Sequence, residues 1–220
     1  MSVTRDDVVQ TAIQLLQEVG LDGLTLRRLA TELGISAPTL YWHVKDKREL
    51  LDLMAEEMIS AARNKMPPFP LFLSWDEQIA EGMRRQYNAI LAYRDGARVV
   101  AGNRPTETSL PMIEQYMKLW VNAAGFPPEE ALAYILTFGD FVIGSALEYQ
   151  AEKERQRVQP AARAHEIWTR MEEYPLLHAA ASARAASGQS ESFERGLALL
   201  IAGLKIRRAE LLAEKHKAAK

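Results

Sequence analysis

Hydrophobic residues recur every three or four positions along most of the chain, and this spacing predicts amphipathic helices. We predict helices over residues 5–19, 25–33, 36–43, 46–64, 74–93, 97–102, 110–124, 129–154, 175–186 and 193–213. Residues 155–173 are expected to form a mobile loop with some helix, and residues 187–192 a linker. No segment shows the alternating pattern of a strand, and no internal repeat is evident. The predicted fold class is therefore all-α.

The stretch from Thr25 to Arg48 has the pattern of two short helices joined by a tight turn. Thr25 and Ser36 are suitable N-caps, and Gly34 follows the first helix, where a left-handed conformation costs glycine little. Pro38 falls in the first turn of the second helix, where its missing N–H does no harm. Because that second helix has only about two turns, its neighbours must hold it in place.

This second helix carries small and polar-tipped aromatic side chains, among them Thr39, Tyr41 and Trp42. A short, supported helix with such side chains suits the major groove of DNA. Two other interpretations stay open at this point. The two helices can serve packing alone, and Tyr41 and Trp42 can be core aromatics. The pattern favours DNA binding over both.

The segments around this motif predict a division of the chain into domains. The first helix presents an apolar stripe that covers the motif and completes a three-helix domain over residues 1–46. Asp46 and Glu49 form a capping-box pair that opens a longer helix, and we expect residues 47–65 to link this domain mechanically to a second one. A proline-broken connection over residues 66–73 begins the larger α-helical domain, residues 66–220.

The amino-acid composition is that of a soluble globular protein without disulfides. The chain has 220 residues, of which 48% are hydrophobic and 25% charged, as in soluble globular proteins. It has no cysteine, which excludes disulfides and thiolate chemistry. The first residues lack the apolar core of a signal peptide, and the most apolar run, residues 134–147, contains Asp140 and is too short to span a bilayer. We therefore expect a cytoplasmic protein.

The net charge of −2 is unusual for a DNA-binding protein, whose affinity depends on cations placed near phosphates. Through residue 48, six cations balance six anions, but five of those cations lie between Arg27 and Arg48. The cations are thus concentrated beside the proposed reading helix. This local basic patch is sufficient for DNA binding and predicts weak non-specific affinity.

Residues 5–65 resemble the N-terminal domain of the tetracycline repressor (TetR) family, above all over GLDGLTLRRLATELGISAPTLYWHVKDKRELLD. The resemblance implies a helix-turn-helix domain that binds operator DNA as part of a transcriptional repressor. The family's DNA-contacting positions match Arg27, Ala37, Pro38, Thr39, Tyr41, Trp42, His43 and Lys47.

The matching side chains differ in what they can contact. Arg27 can bind a guanine edge with two hydrogen bonds, and Thr39 can bind a base or a phosphate. The side chains suited to a thymine methyl group are Ala37 and Pro38, and those suited to phosphates are Tyr41, His43 and Lys47. Ala37 stands where the tetracycline repressor has glutamine, so we expect a different operator sequence.

Two further segments, AYRDGARVVAGNRP and residues 141–150, resemble the effector domain of the tetracycline repressor subgroup. The resemblance implies a homodimer through a four-helix bundle, to which each chain gives the helix from Glu129 and the helix from Phe193. The residue pattern agrees, because both helices have wide apolar faces and the first has small residues that permit close approach. Such a dimer binds a palindromic operator with half-sites about 34 Å apart. The alternative is that these faces are buried within a monomer.

The ligand-binding positions match the subgroup only in part. Three residues of a loop and one acidic residue are kept: Asn103, Arg104, Pro105 and Glu148. Three drug-contacting positions differ and hold Arg63, Gly82 and Gln86. The histidine that binds the drug-chelated magnesium falls on Val100. Because a valine side chain cannot ligate a hard cation, we predict that tetracycline–magnesium recognition is lost.

We expect instead a small apolar or amphipathic organic effector. Its polar anchors are predicted to be Tyr116, Gln86, Arg63 and Arg104. Arg63 as a solvated side chain and Tyr116 as a core residue remain open alternatives. Two other functions also remain open, namely a genuine tetracycline–magnesium-responsive repressor and a ligand-independent dimeric regulator.

Enzyme activity has little support in the sequence. The four histidines, His43, His165, His178 and His216, lack the spacing of metal ligands. No glycine-rich phosphate loop and no Ser/His/Asp arrangement is evident, and we expect neither a metal nor a cofactor. The basic segments KIRR and EKHKAAK near the C-terminus are interpreted as a solvated helix end that complements the helix dipole. A nucleic-acid-binding tail is the alternative for these segments.

Overall fold

A computed structural model describes residues 3–65, 72–158 and 167–218 of the chain, and these residues contain helices and no strand. The helices of the first half are α1 (Arg5–Gly23), α2 (Leu26–Glu32), α3 (Ala37–Leu40), α4 (Lys47–Lys65), α5 (Trp75–Leu91) and α6 (Gly96–Val100). They are followed by α7 (Leu110–Lys118), α8 (Pro128–Val158), α9 (167–171) and α10 (Pro175–Ala218). A 3-10 turn, Glu107–Ser109, precedes α7, and a π-helical segment, Leu119–Ala123, follows it. The predicted all-α fold class is confirmed.

The chain divides into two compact units, Met1–Ala146 and Leu147–Lys220. The first unit contains the motif at residues 25–48 and also helices α5 to α7. The domain boundaries proposed from the sequence, at residues 46 and 65, divide the chain by function and stay a prediction.

The predicted start and end of the first helix agree with the structure. The Thr4 hydroxyl accepts a hydrogen bond from the Asp7 amide at 3.1 Å, and the Asp7 carboxylate accepts one from the Thr4 amide at 2.8 Å. The Thr4 hydroxyl also donates to the Asp7 carboxylate at 2.6 Å, and this bond, together with the one from the Thr4 amide, holds the pKa of Asp7 below its usual value. At the other end Gly20 adopts a φ of 71°, which breaks the helix where a turn was predicted. Buried side chains between these two points form the predicted apolar stripe: Val8, Ala12, Leu15 and Leu16.

Helix α4 packs against α1, α5 and α6 within the first unit. Leu50, Met54 and Met58 lie on its fully buried face. Its N-terminal cap differs slightly from the predicted capping box, since the Glu49 carboxylate accepts from the Lys45 amide at 2.6 Å rather than from that of Asp46. The long apolar face of α4 is thus covered by α1 of the three-helix region and by α5 and α6, which follow it in the chain.

A sharp turn before α6 depends on Gly96. A Cβ atom at this position would lie 2.2 Å from the backbone oxygen of Ile90. The preceding residue, Asp95, has a φ of 55°, a left-handed conformation that aspartate tolerates better than most residues. The turn therefore brings α6 directly against α5, with Val99 and Val100 buried.

One prediction for the C-terminal part was wrong. Residues 187–192 are not a linker, because α10 runs without interruption from Pro175 to Ala218. A single glycine in a helix costs only about 1 kcal/mol, so Gly188 does not end it. In the segment predicted as a loop with some helix, residues 155–158 and 167–171 are helical, while residues 159–166 lie outside the described residues.

In the described part of the chain, only α8 is long and apolar enough to cross a membrane by length and composition. Its apolar side chains include Leu132 and Leu136, which are 48% and 59% exposed in the single chain.

Candidate functional site

The turn between α2 and α3 is fixed by the caps that the sequence predicts. The Thr25 hydroxyl accepts from the Arg28 amide at 3.1 Å, and the Ser36 hydroxyl accepts from the Thr39 amide at 3.3 Å. Gly34 has a φ of 64°, and the Ile35 amide bonds back to the Ala30 carbonyl at 3.0 Å. These contacts fix the orientation of α3, which is too short to be stable as an isolated helix.

The helix predicted over residues 36–43 is shorter in the structure, where α3 ends at Leu40, and the aromatic side chains of the turn after it face solvent. Leu40 and Val44 are buried, while Tyr41 and Trp42 are 54% and 88% exposed. The interpretation of Tyr41 and Trp42 as core aromatics is therefore wrong. The other predicted contacts on this surface, Ala37, Pro38 and Thr39, are also exposed, and His43 is half-buried.

The predicted basic patch lies on the same part of the domain. Arg27 on α2 is exposed, as is Lys47 at the start of α4. The Lys47 Nζ atom donates to the Leu21 carbonyl at 3.3 Å, so this ammonium group is held at the end of α1. Arg48 is engaged with Asp52 on its own helix at 2.7 Å. Arg28 and Lys45 of the predicted patch are exposed as well.

A second group of residues surrounds the loop between α6 and α7. Val100, at the end of α6, is 4% exposed, and Asn103, Arg104 and Pro105 follow it in the loop. The Arg104 amide donates to Asp52 of α4 at 3.2 Å. The Arg104 and Pro105 side chains are exposed, and that of Asn103 is half-buried.

Glu56 on α4 holds the next part of this loop. Its carboxylate accepts hydrogen bonds from the hydroxyls of Thr106 and Thr108, the latter at 3.0 Å. Together with Asp52, this places two carboxylates of α4, one turn apart, against the loop. The spacing of four residues puts them on one face of the helix.

The end of α1 is bound by Asp95, in the turn before α6, and by Arg98, on α6 itself. The Asp95 carboxylate accepts from the Leu21 amide at 2.8 Å, and Arg98 binds the Asp22 carboxylate through two hydrogen bonds of 2.7 and 3.0 Å. The bonds to Arg98 hold the pKa of Asp22 below its usual value, and those to Asp22 and Asp95 raise the pKa of Arg98. Gly20 permits the close approach, since a Cβ there would lie 2.9 Å from Asp95.

An aromatic cluster centred on Trp120 lies in the same unit. The Trp120 ring is fully buried, with ring centroids of Phe138, Phe126 and Tyr134 at 5.4, 6.3 and 6.4 Å. Tyr116, one turn earlier, lies edge-on to it at 6.4 Å. The sequence pattern marked Tyr116 but missed Trp120, which a five-residue π-helical segment carries and which helical spacing therefore does not indicate.

The remaining predicted ligand residues are spread over the structure. Gln86 is half-buried on α5, and Arg63 is exposed near the end of α4. Glu148 is exposed and belongs to the second compact unit. No group of three potential ligand side chains that could hold a metal is found in the part of the chain that the structure describes.

Known protein families match both the motif and the region after it. The family of bacterial regulatory proteins named tetR matches residues 8–54, and the tetracyclin repressor-like C-terminal domain matches residues 70–208. The chain belongs to the TetR family. The family assignment makes it a DNA-binding transcriptional repressor and not an enzyme.

Individual relatives of this TetR-family protein are similar along nearly their whole length. The class A tetracycline repressor from transposon 1721 of Escherichia coli is 37% identical over 204 residues, which are 91% of this chain and 90% of that protein. TetR from Acinetobacter baumannii AYE is 33% identical, with a TM-score of 0.71 and coverage of 94% of this chain and 99% of that one. Apo ActR from Streptomyces coelicolor is 29% identical, with a TM-score of 0.80 and coverage of 96% and 99%. TetR-family repressors bind DNA operators as dimers and bind small-molecule ligands.

Proposed function

We propose that this TetR-family protein is a cytoplasmic, homodimeric repressor that leaves a palindromic operator when a small organic effector binds. The observation that carries this proposal is the set of contacts joining the loop after α6 to the DNA-binding helices. Asp52 and Glu56 join the loop to α4, and Asp95 and Arg98 join α6 to the end of α1. An effector that shifts α6 or this loop therefore shifts the helices that support α3.

The proposed operator-reading surface consists of Arg27, Ala37, Pro38, Thr39, Tyr41, Trp42, His43 and Lys47. Seven of them are exposed, and they combine two cations with aromatic and small side chains. Arg27 is proposed to read a guanine edge, and Tyr41 and Lys47 to hold phosphates. In a two-fold dimer the two copies of α3 would lie about 34 Å apart, one turn of DNA.

The proposed dimer forms through α8 and α10 of each chain. Leu132 and Leu136 of α8 are exposed in the single chain, and so are Leu199 and Ile206 of α10, at 75% and 64%. A Cβ atom at Gly139 would meet no atom within 4 Å, which leaves space beside α8 for a helix of a second chain. A four-helix bundle would remove these apolar surfaces from water.

The effector is proposed to be an organic molecule that does not require chelated magnesium. Relatives differ in their ligands: a class A tetracycline repressor binds 5a,6-anhydrotetracycline with magnesium, and ActR binds (S)-DNPA. At Val100 this chain has a buried hydrocarbon side chain that offers no ligand atom to a cation. Candidate polar anchors are Tyr116, Gln86, Arg63 and Arg104, with Asn103 and Pro105 in the loop. Arg63 and Glu148 are exposed in the structure, and their place in the set stays a prediction from the sequence pattern.

The proposed release mechanism requires different affinities of the effector for two conformations. The operator-bound dimer holds the two copies of α3 at the spacing of the half-sites. The effector binds more tightly to a conformation in which α4 has moved and that spacing has changed. By linkage, the factor by which effector weakens operator binding equals the factor by which operator weakens effector binding.

Thermal unfolding in the presence of ligands tests the proposal. The purified protein is heated with tetracycline, with and without magnesium, and with a panel of apolar drug-like compounds. A ligand at a hundredfold its Kd adds about 2.7 kcal/mol, which raises the Tm by roughly 5–10 °C for a chain of this size. We expect shifts with panel compounds only.

Each other outcome of this experiment has a distinct meaning. A shift that needs both tetracycline and magnesium contradicts the interpretation of Val100 and makes the protein a tetracycline-responsive repressor. The absence of any shift, in protein that still binds DNA, favours ligand-independent regulation.

A further inference from the structure

The C-terminal end of α1 is capped by cations that come from other elements. Its own last turn contains no basic residue, although the carbonyl groups at the end of a helix favour nearby positive charge. The Lys47 Nζ atom donates to the Leu21 carbonyl at 3.3 Å, and the Arg94 guanidinium donates to the Glu18 carbonyl at 2.8 Å. The end of α1 is therefore a place where cations from α4 and from the turn before α6 meet.

Asp22 adds a carboxylate directly beside the carbonyl that Lys47 contacts. Its side chain is 86% exposed, and Arg98 binds it through the two hydrogen bonds described above. These bonds and the charge of Arg98 are the main reason that the pKa of Asp22 is low, and the charge of Lys47 lowers it further. Two cations from different helices thus act on one exposed carboxylate.

Arg98 is held in position on α6 from its other side. Its Nη1 atom also lies 3.3 Å from the Asp95 carboxylate, which accepts in turn from the Leu21 amide. The guanidinium therefore lies between two carboxylates, and one of them is bonded to the backbone at the end of α1. This arrangement keeps Arg98 next to Asp22, and it depends on the close contact between α6 and α1.

The same contacts leave Lys47 free to bind a phosphate. An ammonium group has three N–H donors, and the Leu21 carbonyl uses one of them. As long as Arg98 neutralises Asp22, that carboxylate attracts Lys47 only weakly. Without Arg98, the carboxylate is a negative charge beside Lys47 that attracts its ammonium group and repels DNA phosphates.

We propose that Asp22 is an internal competitor of DNA for Lys47, and that Arg98 is the positioning residue that suppresses this competition. This inference rests on the proposed reading surface, in which Lys47 contacts a phosphate. It applies to the protein without effector, because Lys47, Asp22 and Arg98 meet within the first compact unit. DNA affinity is then set by a residue outside the reading surface, through charge rather than through contact with DNA.

Substitutions at the two partners of the ion pair test the proposal. Asp22→Asn should raise the affinity of the full-length protein for DNA, and Arg98→Gln should lower it. We expect changes of about three- to tenfold at low salt, because interactions between exposed charges are modest and each substitution occurs twice in a dimer. The measurement is fluorescence anisotropy with a labelled duplex of random sequence, since a phosphate contact does not depend on base sequence.

The direction of these changes separates competition from a structural role. An ion pair that only stabilises the contact between α1 and α6 is lost equally in both variants, so both would bind DNA more weakly. In the proposed mechanism the double variant Asp22→Asn/Arg98→Gln regains the affinity that Arg98→Gln loses. Weaker binding by both single variants, or no recovery in the double variant, overturns the proposal.

Two controls separate the effect on Lys47 from a general effect of net charge. Glu18→Gln removes an exposed carboxylate one helical turn before Asp22 and should leave DNA affinity within about twofold. In a Lys47→Gln background, Asp22→Asn and Arg98→Gln should also change affinity by less than about twofold. If Glu18→Gln acts as strongly as Asp22→Asn, or if the effects persist without Lys47, the proposal is wrong.

Failure of this inference can be told apart from failure of the proposed reading surface. If Lys47→Gln alone leaves DNA affinity unchanged, Lys47 does not contact DNA, and its place in the reading surface and this inference are both wrong. If Lys47→Gln weakens binding while Asp22→Asn and Arg98→Gln have no effect, the reading surface stands and only the competition by Asp22 is refuted.

Discussion

At the scale of single residues, the reading surface follows from alternation between inward and outward side chains on a very short helix. Leu40, at the end of α3, and Val44, four residues later, are buried in the core. The side chains of Tyr41 and Trp42 between them therefore lie at the surface. A tryptophan that is 88% exposed is unusual in a free protein, because its large apolar area remains in water. Contact with DNA would cover it.

Replacing single side chains of this surface should affect DNA binding in two distinguishable ways. Arg27→Ala should cost about 1–3 kcal/mol of operator binding and relax specificity at one base pair, because a bidentate contact to guanine is lost. Lys47→Ala should weaken binding to all sequences and reduce the salt slope by about one. The measurement is fluorescence anisotropy with duplexes selected from a random pool, at several salt concentrations.

Arg157→Ala is the matched control, since it removes an exposed arginine that pairs with Glu154 on α8, far along the chain from the motif. It should leave both affinity and salt slope unchanged. If Arg27→Ala and Lys47→Ala behave like this control, the proposed reading surface is wrong.

At the scale of elements, α4 is the helix through which the proposed mechanism connects DNA reading with effector binding. One of its faces packs in the core through Leu50, Met54 and Met58, while Asp52 and Glu56 bind the loop after α6. In the proposed mechanism, a displacement of the loop moves α4 through these contacts. The strength of the loop contacts then sets how much of the effector's binding energy reaches the DNA-binding helices.

Glu56→Gln should weaken this connection without removing either binding site. Hydrogen bonds from Thr106 and Thr108 to a charged acceptor are replaced by bonds to a neutral amide, so we expect the effector-induced loss of operator affinity to shrink by roughly 3–10-fold. Operator affinity is measured with and without the compound that releases DNA best. Glu114→Gln, an exposed carboxylate on α7, is the control. An unchanged response in Glu56→Gln would show that the loop contact carries no coupling.

The elements also show which features the sequence pattern could predict. Local signals predicted the starts of helices α1, α2, α3 and α5 and the turns at Gly20 and Gly34, because a cap depends on a few adjacent residues. The continuity of α10 was missed, since Gly188 and the serines around it resemble a linker and only weakly oppose a helix. Trp120 was missed because a π-helical segment breaks the 3.6-residue period on which the pattern depends.

At the scale of the whole molecule, the proposed dimer explains apolar surface that the single chain leaves in water. Leu136→Glu should disrupt it, because two-fold symmetry places the substitution in the interface twice. With about 1.5–3 kcal/mol lost for each leucine, the dimer Kd should rise by at least about a hundredfold. Analytical ultracentrifugation measures the association state.

Leu110→Glu is the matched control for this substitution. Leu110 is 55% exposed, close to the 59% of Leu136, but lies on α7, outside the proposed bundle. The dimer should persist in this variant. Dissociation of both variants to the same extent, or of neither, would contradict an interface made by α8 and α10.

The most direct test of the central claim is a titration of a selected palindromic duplex with the protein, followed by addition of organic compounds while DNA anisotropy is recorded. The account predicts saturation at two chains per duplex and release by at least one apolar organic compound of the panel, with no requirement for magnesium. Stable binding that no compound reverses, or release only by tetracycline together with magnesium, would contradict it.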